Sequence, residues 1–377
     1  MPKVHIRSSS GAYDVICARG VIARVRPLVA RLGDSTGIFF LSSPRVWALW
    51  GKKVLAGFRR SDKRPVILFD DRETSKRLAT VEAIARSLVE AGADRRATLV
   101  AVGGGVVGDV AGFVAATYLR GVQIVHVPTT LVAQVDSSIG GKTGVDLPEG
   151  KNLVGAFYPP ALVIADPDVL NTLPHQQFRS GLYEVVKYGV IADRELFIYL
   201  YKHMPALLRR DPKALAWVIE RSIRIKARVV SKDEREGGLR QILNFGHTFG
   251  HALEAATGYR RFLHGEAVAW GMIFATMLAL ADYSLQLRDG FGILMLISMV
   301  GPLPAIPEIP VKTFRKLLAG DKKSRGGRVR WVLPQWIGRV ERGVELEQEF
   351  VEKYIPAIPL IWKEIQRGTL ARVSRPK

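Results

Sequence analysis

The stretch from Thr98 to Asp109, TLVAVGGGVVGD, decides the fold of the first half of this chain. A strand predicted over Thr98 to Val102 runs directly into three glycines, and an apolar helix is predicted over Val110 to Leu119. Glycines at a strand-to-helix turn let the backbone approach a pyrophosphate, which the helix N-terminus then holds. The acidic residue expected about 20 positions later for the ribose is absent, so a dinucleotide would bind in a variant arrangement. The alternative is a tight turn that needs glycine for positive φ.

The segments around this stretch alternate between β-rich and helical patterns. Further strands are predicted over Gly37–Leu41, Val66–Phe69 and Val122–Val127, and a helix over Leu78–Val89. Such alternation is typical of a mostly parallel sheet with helices on both faces.

After Leu173-Pro174 the patterns become long and helical, with one further strand predicted at Arg328–Leu333. We therefore predict two domains. Residues 1–174 are expected to form an α/β nucleotide-binding domain, and residues 175–377 a mainly helical domain that binds metal and substrate.

Composition narrows the class of protein. The chain has 377 residues, of which 48% are hydrophobic and 24% charged, and this is the ordinary range for a folded globular protein. Cys17 is the only cysteine, which excludes an intramolecular disulfide. The first residues lack the apolar region of a secretory signal, so we predict a cytoplasmic protein. The apolar run Ala267–Leu280 is shorter than the roughly 18 to 20 residues that cross a bilayer and predicts a buried helix without a membrane partner.

The formal net charge of +20 would attract polyanions. However, the basic residues are spread along the chain, and no nucleic-acid-binding motif accompanies them. We predict anionic small molecules, and not nucleic acid, as partners.

Three of the seven histidines lie close together, in NFGHTFGH (residues 244–251) and in His264-Gly265-Glu266. Imidazole nitrogen suits zinc, and a catalytic zinc takes three protein ligands and keeps one open position. Helical spacing puts His247 and His251 on one face, but spacing alone does not decide which two histidines bind the ion. Glu184, in apolar surroundings, is a candidate third ligand. The alternatives are hydrogen-bonded core histidines and a simple i,i+3 ion pair between Glu184 and Lys187.

A second polar region begins at Pro128 and contains Gly140-Gly141-Lys142-Thr143. This resembles the end of a phosphate-binding P-loop, but Asp136 occupies the place of that motif's first glycine, which excludes a nucleotide triphosphatase of that kind. Lys151-Asn152 follows nine residues after Lys142. Together these residues indicate an anion site, the alternative being a solvated loop.

With these motifs together, the chain resembles the 3-dehydroquinate synthase family of sugar phosphate cyclases, from about Phe69 to Val340. The resemblance implies a phosphate-eliminating lyase of the shikimate pathway, which converts 3-deoxy-D-arabino-heptulosonate 7-phosphate to 3-dehydroquinate and phosphate. It implies zinc, with cobalt possible, bound by Glu184, His247 and His264 from the motifs G-x-x-E-x-x-K-Y, N-x-G-H and H-G-E. His251 then contacts the substrate phosphate and is not a ligand.

The resemblance also implies NAD as a cofactor that is oxidised and regenerated within one turnover. The implied nucleotide contacts are Asp71, Glu73, Lys76, Gly105, Val106, Val107, Gly108, Asp109, Thr129, Thr130, Lys142, Lys151, Val169, Leu170, Asn171 and Thr172. One departure concerns the adenosine ribose, where relatives often carry acidic and amide residues and this chain has Ser42-Ser43-Pro44-Arg45. An arginine there would tolerate a ribose 2′-phosphate, which leaves the choice between NAD and NADP open. Tyr183, where a small residue is common, is a milder departure.

The implied catalytic residues are Lys142, Lys187, Lys226, Arg240, Asn244 and His251. The implied substrate-binding residues are Arg120, Asp136, Asn152, Lys322 and Lys323. Arg120 matches an arginine that reaches the phosphate across a dimer interface, so a homodimer is expected. Two alternatives remain at this stage: a cyclase acting on another sugar phosphate, and a metal-dependent alcohol dehydrogenase resembling glycerol dehydrogenase.

Overall fold

The computed structural model describes residues 3–33, 35–59, 62, 64–282, 285–319 and 329–367. The chain divides into two compact units. The first consists of Met1–Phe178 together with Pro212–Arg235, and the second of Arg179–Asp211 together with Glu236–Lys377.

The strands are, in chain order, β1 (Lys3–Ser8), β2 (Gly11–Cys17), β3 (Ile38–Ser42), β4 (Val66–Leu68), β5 (Thr98–Gly103), β6 (Gln123–Pro128), β7 (Lys142–Leu147), β8 (Gly150–Phe157), β9 (Leu162–Ala165), β10 (Arg330–Trp336) and β11 (Arg339–Glu345). The helices are α1 (Val25–Val29), α2 (Pro44–Val54), α3 (Leu78–Glu90), α4 (Gly105–Thr117), α5 (His175–Ala192), α6 (Arg194–Leu208), α7 (Pro212–Lys232), α8 (His247–Ala256), α9 (His264–Ala281), α10 (Leu287–Val300), α11 (Val311–Ala319), α12 (Gln348–Tyr354) and α13 (Ile358–Gln366).

The first unit is built on a twisted sheet. Seven of the described strands form it in the order β1-β2-β9-β6-β5-β3-β4, and every pairing is parallel except β1 with β2. All six residues of β5 are buried, as expected for a central strand covered on both faces. The predicted α/β fold with a mostly parallel sheet is confirmed.

The predicted strands appear as β3, β4, β5 and β6, with β4 at the edge of the sheet, and the predicted helix over Leu78–Val89 appears as α3. The helix predicted over Val110–Leu119 is displaced: α4 begins at Gly105 and ends at Thr117. Its glycines are packing positions, because a Cβ at Gly112 would lie 2.4 Å from the Thr143 side chain. Leu119 and Arg120 have positive φ and end the helix.

Several elements of the first unit were not predicted. β1, β2 and β9 extend the sheet, and β7 and β8 form a separate antiparallel hairpin in the region interpreted as a loop. Helix α7 also belongs to this unit, where it packs on β1 and β2. The predicted division at 174/175 places two segments in the other domain: residues 175–178 and Pro212–Arg235, which both belong to the first unit here.

The second unit is mainly helical, with the antiparallel hairpin β10–β11, which confirms the strand expected at its end from Arg330 onwards; Arg328 lies outside the described residues. Helix α9 is apolar on all sides, and 15 of its 18 residues are buried. It is long and apolar enough to cross a membrane, but 83% of it is buried inside the protein, as in a core helix. The predicted buried helix over Ala267–Leu280 is therefore confirmed.

Glycines bring α8 and α9 into very close contact. A Cβ at Gly271 would lie 1.7 Å from the backbone oxygen of Gly246, and a Cβ at Gly250 would lie 2.9 Å from that of Ala267. Gly246 itself has φ +79, which favours glycine, and it caps the start of α8. These contacts fix the first turn of α8, which begins at His247, against the body of α9.

We expect Gly271→Ala to destabilise the protein, because the added methyl group overlaps backbone that cannot move without separating the two helices. The free energy of unfolding in urea should fall by about 1–3 kcal/mol or more. Gly292→Ala on α10 is the matched control, since its Cβ would lie 3.5 Å from the nearest atom, of Ile337. The control should be neutral or stabilising by up to about 1 kcal/mol. Equal stability of Gly271→Ala and wild type would contradict the close contact.

Candidate active-site residues

The glycine loop in the first unit joins β5 to α4 with little space around it. A Cβ at Gly103 would lie 2.5 Å from Val107, and a Cβ at Gly104 would lie 3.0 Å from Thr130. Gly104 caps α4 with φ −79, so close approach and not positive φ requires the glycines here. The first turn of α4, from Gly105 to Val107, presents its backbone N–H groups at the helix N-terminus, as an anion site requires, whereas the N–H of Gly108 donates to the backbone oxygen of Gly104 at 3.0 Å.

A buried lysine lies beside this loop. Lys76 has 3% of its side chain exposed and contacts Oδ2 of Asp109 at 2.6 Å, while it also donates to Oδ1 of Asn152. Burial by itself lowers the pKa of Lys76, but the negative charges of Asp109 and Glu73 outweigh that effect and raise the pKa above its usual value. Lys151 contacts Oε1 of Glu73 at 3.1 Å. The structure thus brings together four of the predicted nucleotide residues and one predicted substrate residue.

Asn152 is held in an unusual conformation. Its φ is +53, and its backbone N–H donates to Oδ1 of the buried Asp146 at 2.7 Å. Asp146 was not among the predicted site residues, because nothing in the sequence indicates that β7 and β8 pair and bring residues 146 and 152 together. Lys142, also predicted as a site residue, begins β7 and is exposed.

The remaining predicted residues of this unit occupy several places. Thr129 donates its backbone N–H to the oxygen of Gly103 at 2.8 Å, and Thr130 contacts the glycine loop. Val169 to Thr172 lie in a 3-10 helix, whereas Asp71 and Arg120 are exposed. Val106 and Val107 lie in the first turn of α4.

Lys226 on α7 is a buried cation with defined partners. Its ammonium donates to the backbone oxygen and to Oδ1 of Asp136, each at 2.7 Å, and 5% of the residue is exposed. Asp136 lies in a π-helical turn, Ala133–Ser137. The predicted catalytic residue Lys226 and the predicted substrate-binding residue Asp136 are therefore joined directly.

Ser43 and Arg45, which bear on the cofactor choice, lie at the start of α2. The Ser43 hydroxyl accepts from the backbone N–H of Val46 at 3.4 Å and caps the helix, and Arg45 is exposed in its first turn.

In the second unit, Glu184 is fully buried on α5. Its Oε2 pairs with the ammonium of Lys187, one turn later on the same helix and 1% exposed. Among the described residues, no hydrogen-bond donor reaches its Oε1. A buried carboxylate oxygen without a donor is costly, and a bound cation would satisfy it.

Two imidazoles face that oxygen. Nε2 of His264 lies 3.7 Å from Oε1 of Glu184, and Nε2 of His247 lies 4.0 Å from it. His247, His251 and His264 each offer one ring nitrogen, and these three nitrogens all lie within 4.8 Å of one another. His251 is the most exposed of the three histidines. Gly265 lets α9 approach α5 here, since a Cβ at this position would lie 1.9 Å from the oxygen of Ser180.

The outer ring nitrogens, Nδ1 of His247 and of His264, also lie close to oxygen atoms. Nδ1 of His247 lies 3.2 Å from the backbone oxygen of Phe245, and Nδ1 of His264 lies 3.3 Å from Oε2 of Glu254. Glu254 was not predicted, although its place seven residues after His247 puts both on one face of α8, a spacing that is visible in the sequence.

The residues present fit a divalent metal ion. Two neutral imidazoles and one carboxylate are a donor set suited to zinc, with a further position left for water or substrate. Glu184, His247 and His264 would hold the ion through Oε1 and the two Nε2 atoms, because these three atoms face each other while the outer nitrogens contact other acceptors.

Two further predicted residues of the second unit lie near the start of α8. Arg240 is 2% exposed in the 3-10 helix Leu239–Asn244, and Asn244 donates through Nδ2 to Oε1 of Glu236. Lys322 and Lys323 lie outside the described residues.

A parallel sheet with a glycine-rich strand-to-helix turn, in a chain with a buried carboxylate–histidine cluster, is typical of metal-dependent, nucleotide-binding enzymes. Models of the 3-dehydroquinate synthase N-terminal and C-terminal domains match residues 66–180 and 181–324. The 3-dehydroquinate synthase of Solibacter usitatus is 43% identical over 93% of this chain and 98% of its own length. That of Acidithiobacillus ferrooxidans is 53% identical over 71% of this chain and 73% of its own. The chain belongs to the 3-dehydroquinate synthase family.

Solved structures agree at the level of fold. A 2-epi-5-epi-valiolone synthase from Streptomyces hygroscopicus, with NAD+ and Zn2+ bound, matches with a TM-score of 0.83 and 30% identity over 93% of this chain and 97% of its own. A 2-deoxy-scyllo-inosose synthase complexed with carbaglucose-6-phosphate, NAD+ and Co2+ also has a TM-score of 0.83, at 27% identity over 94% and 99%. Glycerol dehydrogenase from Schizosaccharomyces pombe, at 15% identity over 94% and 91% and a TM-score of 0.69, shares the fold alone.

Alanine substitution of each of the three histidines should distinguish the two metal ligands, His247 and His264, from His251, which lies beside them. We expect His247→Ala and His264→Ala to weaken zinc binding by about 100-fold or more, since even loss of an outer-shell partner costs about 10- to 100-fold. His251→Ala should weaken it by less than about 10-fold. Competition with a chromophoric chelator measures the three dissociation constants. An effect of His251→Ala as large as the other two would show that the ligand set is wrong.

Proposed function

We propose that this chain has 3-dehydroquinate synthase activity, converting 3-deoxy-D-arabino-heptulosonate 7-phosphate to 3-dehydroquinate and inorganic phosphate. Family membership over both domain models carries the proposal. The buried Glu184 and the imidazoles beside it support it, because the reaction oxidises a secondary hydroxyl and that step needs an electrophile. The site residues implied by the resemblance are part of this proposal.

We assign NAD and one divalent ion, zinc or cobalt, as cofactors. When bound, NAD would accept and return one hydride, and the metal ion would polarise the hydroxyl that is oxidised. The chain's part is to hold these groups. The first turn of α4 would bind the pyrophosphate with its backbone N–H groups, and the cationic Lys76 would balance the charge beside it.

Buried cations would fix the substrate. Arg240, 2% exposed in the second unit, and Lys226, 5% exposed in the first, are assigned to the carboxylate. Charge-assisted hydrogen bonds from buried groups are stronger than those at the surface, because less water competes with them. Asn152, His251, Arg120, and Lys322 or Lys323 are assigned to the phosphate. Holding both acidic groups keeps each intermediate bound until the next step.

Lys187 has a distinct role in the proposal. Its ammonium pairs with Oε2 of Glu184, which leaves Oε1 for the metal. Loss of this ammonium would leave a buried carboxylate without a compensating positive charge, which is costly.

We also propose that the enzyme works in the cytoplasm as a homodimer. The homodimer proposal rests on Arg120, which is exposed and held at φ +68 after Leu119 at φ +48. Two consecutive non-glycine residues in the left-handed region fix the direction of the chain at this arginine.

Phosphate release and cofactor reduction should be separable in one assay. We expect one phosphate per molecule of 3-dehydroquinate and no net NADH, because the hydride is returned within each turnover. Malachite green measures phosphate, absorbance at the NADH band measures the cofactor, and NMR identifies the product. NADH formed in proportion to substrate would contradict the proposal and favour a dehydrogenase; phosphate released with a different carbocycle would favour another cyclase.

Arg240→Ala should lower kcat/KM for the heptulosonate by roughly 10- to 150-fold, the equivalent of one charged hydrogen bond of about 1.5–3 kcal/mol. The inhibition constant of an analogue that keeps the phosphate and lacks the carboxylate should not change. Arg260→Ala, at an exposed arginine, is the control. Unchanged kinetics in Arg240→Ala would remove the carboxylate assignment.

A further inference from the structure

Glu254 is a buried acidic residue to which the proposed reaction gives no role. It lies on α8 with 2% of its surface exposed, and its Oε2 is 3.3 Å from Nδ1 of His264 at the start of α9. A carboxylate buried to this degree needs a donor or a positive charge beside it. The outer ring nitrogen of His264, Nδ1, is placed to provide that donor.

The imidazole of His264 therefore lies between two carboxylates. Its Nδ1 faces Glu254, while its Nε2 is directed towards Oε1 of Glu184, 3.7 Å away. A neutral imidazole carries one proton, and the nitrogen that binds a metal ion must be the unprotonated one. A carboxylate at Nδ1 accepts that proton's hydrogen bond and so leaves Nε2 free for a metal ion.

The two histidines of the cluster differ in this respect. His247 has a backbone oxygen, that of Phe245, at its Nδ1, whereas His264 has an ionisable carboxylate. A proton on Nδ1 suits both arrangements, but only the carboxylate at His264 can add a full negative charge, which strengthens Nε2 as an electron donor.

We propose that Glu254 is a positioning residue for the metal site: it holds His264 in the Nδ1-protonated tautomer and orients the ring, and thereby increases the affinity for a divalent cation. The proposal rests on the assignment of His264 as a ligand in the proposed function. A purely structural tie between α8 and α9 is the competing explanation, and it predicts no effect on the tautomer of His264 or on metal affinity.

The first test measures zinc affinity by chelator competition in wild type, Glu254→Gln and Glu266→Gln. Glu266 is the matched control, because it is an equally buried carboxylate two residues after His264 and its Oε2 accepts from the backbone N–H of Leu263 at 2.9 Å, a bond that glutamine can keep. We expect Glu254→Gln to weaken zinc binding by about 10- to 100-fold, the usual effect of losing an outer-shell carboxylate, and Glu266→Gln to weaken it by less than about threefold. Equal losses in both variants, or none in Glu254→Gln, would overturn the proposal.

The second test needs no metal, and it uses a variant only to assign the signal. Long-range 1H–15N NMR of the metal-free wild type with labelled histidine reports the tautomer of His264, assigned by comparison with His264→Ala. We expect the Nδ1–H form, and a predominant Nε2–H form would overturn the proposal. This measurement also distinguishes a failure of the proposed metal site from a failure of the proposed role of Glu254. A wild type that binds no zinc but shows the Nδ1–H form would contradict the metal in the proposed function while supporting the role of Glu254 in fixing the tautomer.

Discussion

The burial of the Glu184 carboxylate is the constraint on which the second unit depends. A carboxylate with no exposed surface is unstable unless positive charge compensates it, and the Lys187 ammonium does so at one oxygen. The other oxygen has no donor among the described residues and faces the Nε2 atoms of two imidazoles. Two imidazole nitrogens and one carboxylate oxygen that face each other in this way are a donor set suited to a divalent cation.

Glycines make this arrangement possible. Gly246, Gly250 and Gly271 let α8 and α9 approach to backbone contact, and Gly265 does the same for α9 and α5. His247 and His264 are therefore each the first residue of a helix whose position is fixed by close backbone packing, and not by long side chains that adjust. The same principle operates in the first unit, where the glycine loop needs its glycines for space beside Val107 and Thr130.

Much of the fold follows from the sequence because buried strands and amphipathic helices have distinct periods. β3 to β6 and α3 were predicted in this way, and the buried α9 was predicted from its apolar length. The hairpin β7–β8 was not, because its glycines and charged residues are typical of a loop and its pairing depends on contacts with α4. The start of α4 was placed too late because glycine disfavours helices in isolation, whereas here packing decides.

The site, like the fold, was predicted where a local sequence pattern indicates it and missed where it depends on tertiary contacts. The clustering of histidines and the apolar surroundings of Glu184 were visible in the sequence, but helical spacing favoured His247 with His251, and only the resemblance selected His264. Asp146 and Glu254 were missed because each acts through a contact between two elements: Asp146 on β7 accepts from Asn152 on β8, and Glu254 on α8 faces His264 on α9. An anomalous difference map at the zinc edge, from crystals grown with zinc, tests directly whether Glu184, His247 and His264 bind the metal ion. We predict one peak within about 2.0–2.2 Å of Oε1 of Glu184 and of Nε2 of His247 and His264. A peak that excludes Glu184, or that has His251 in place of either histidine, would contradict the account.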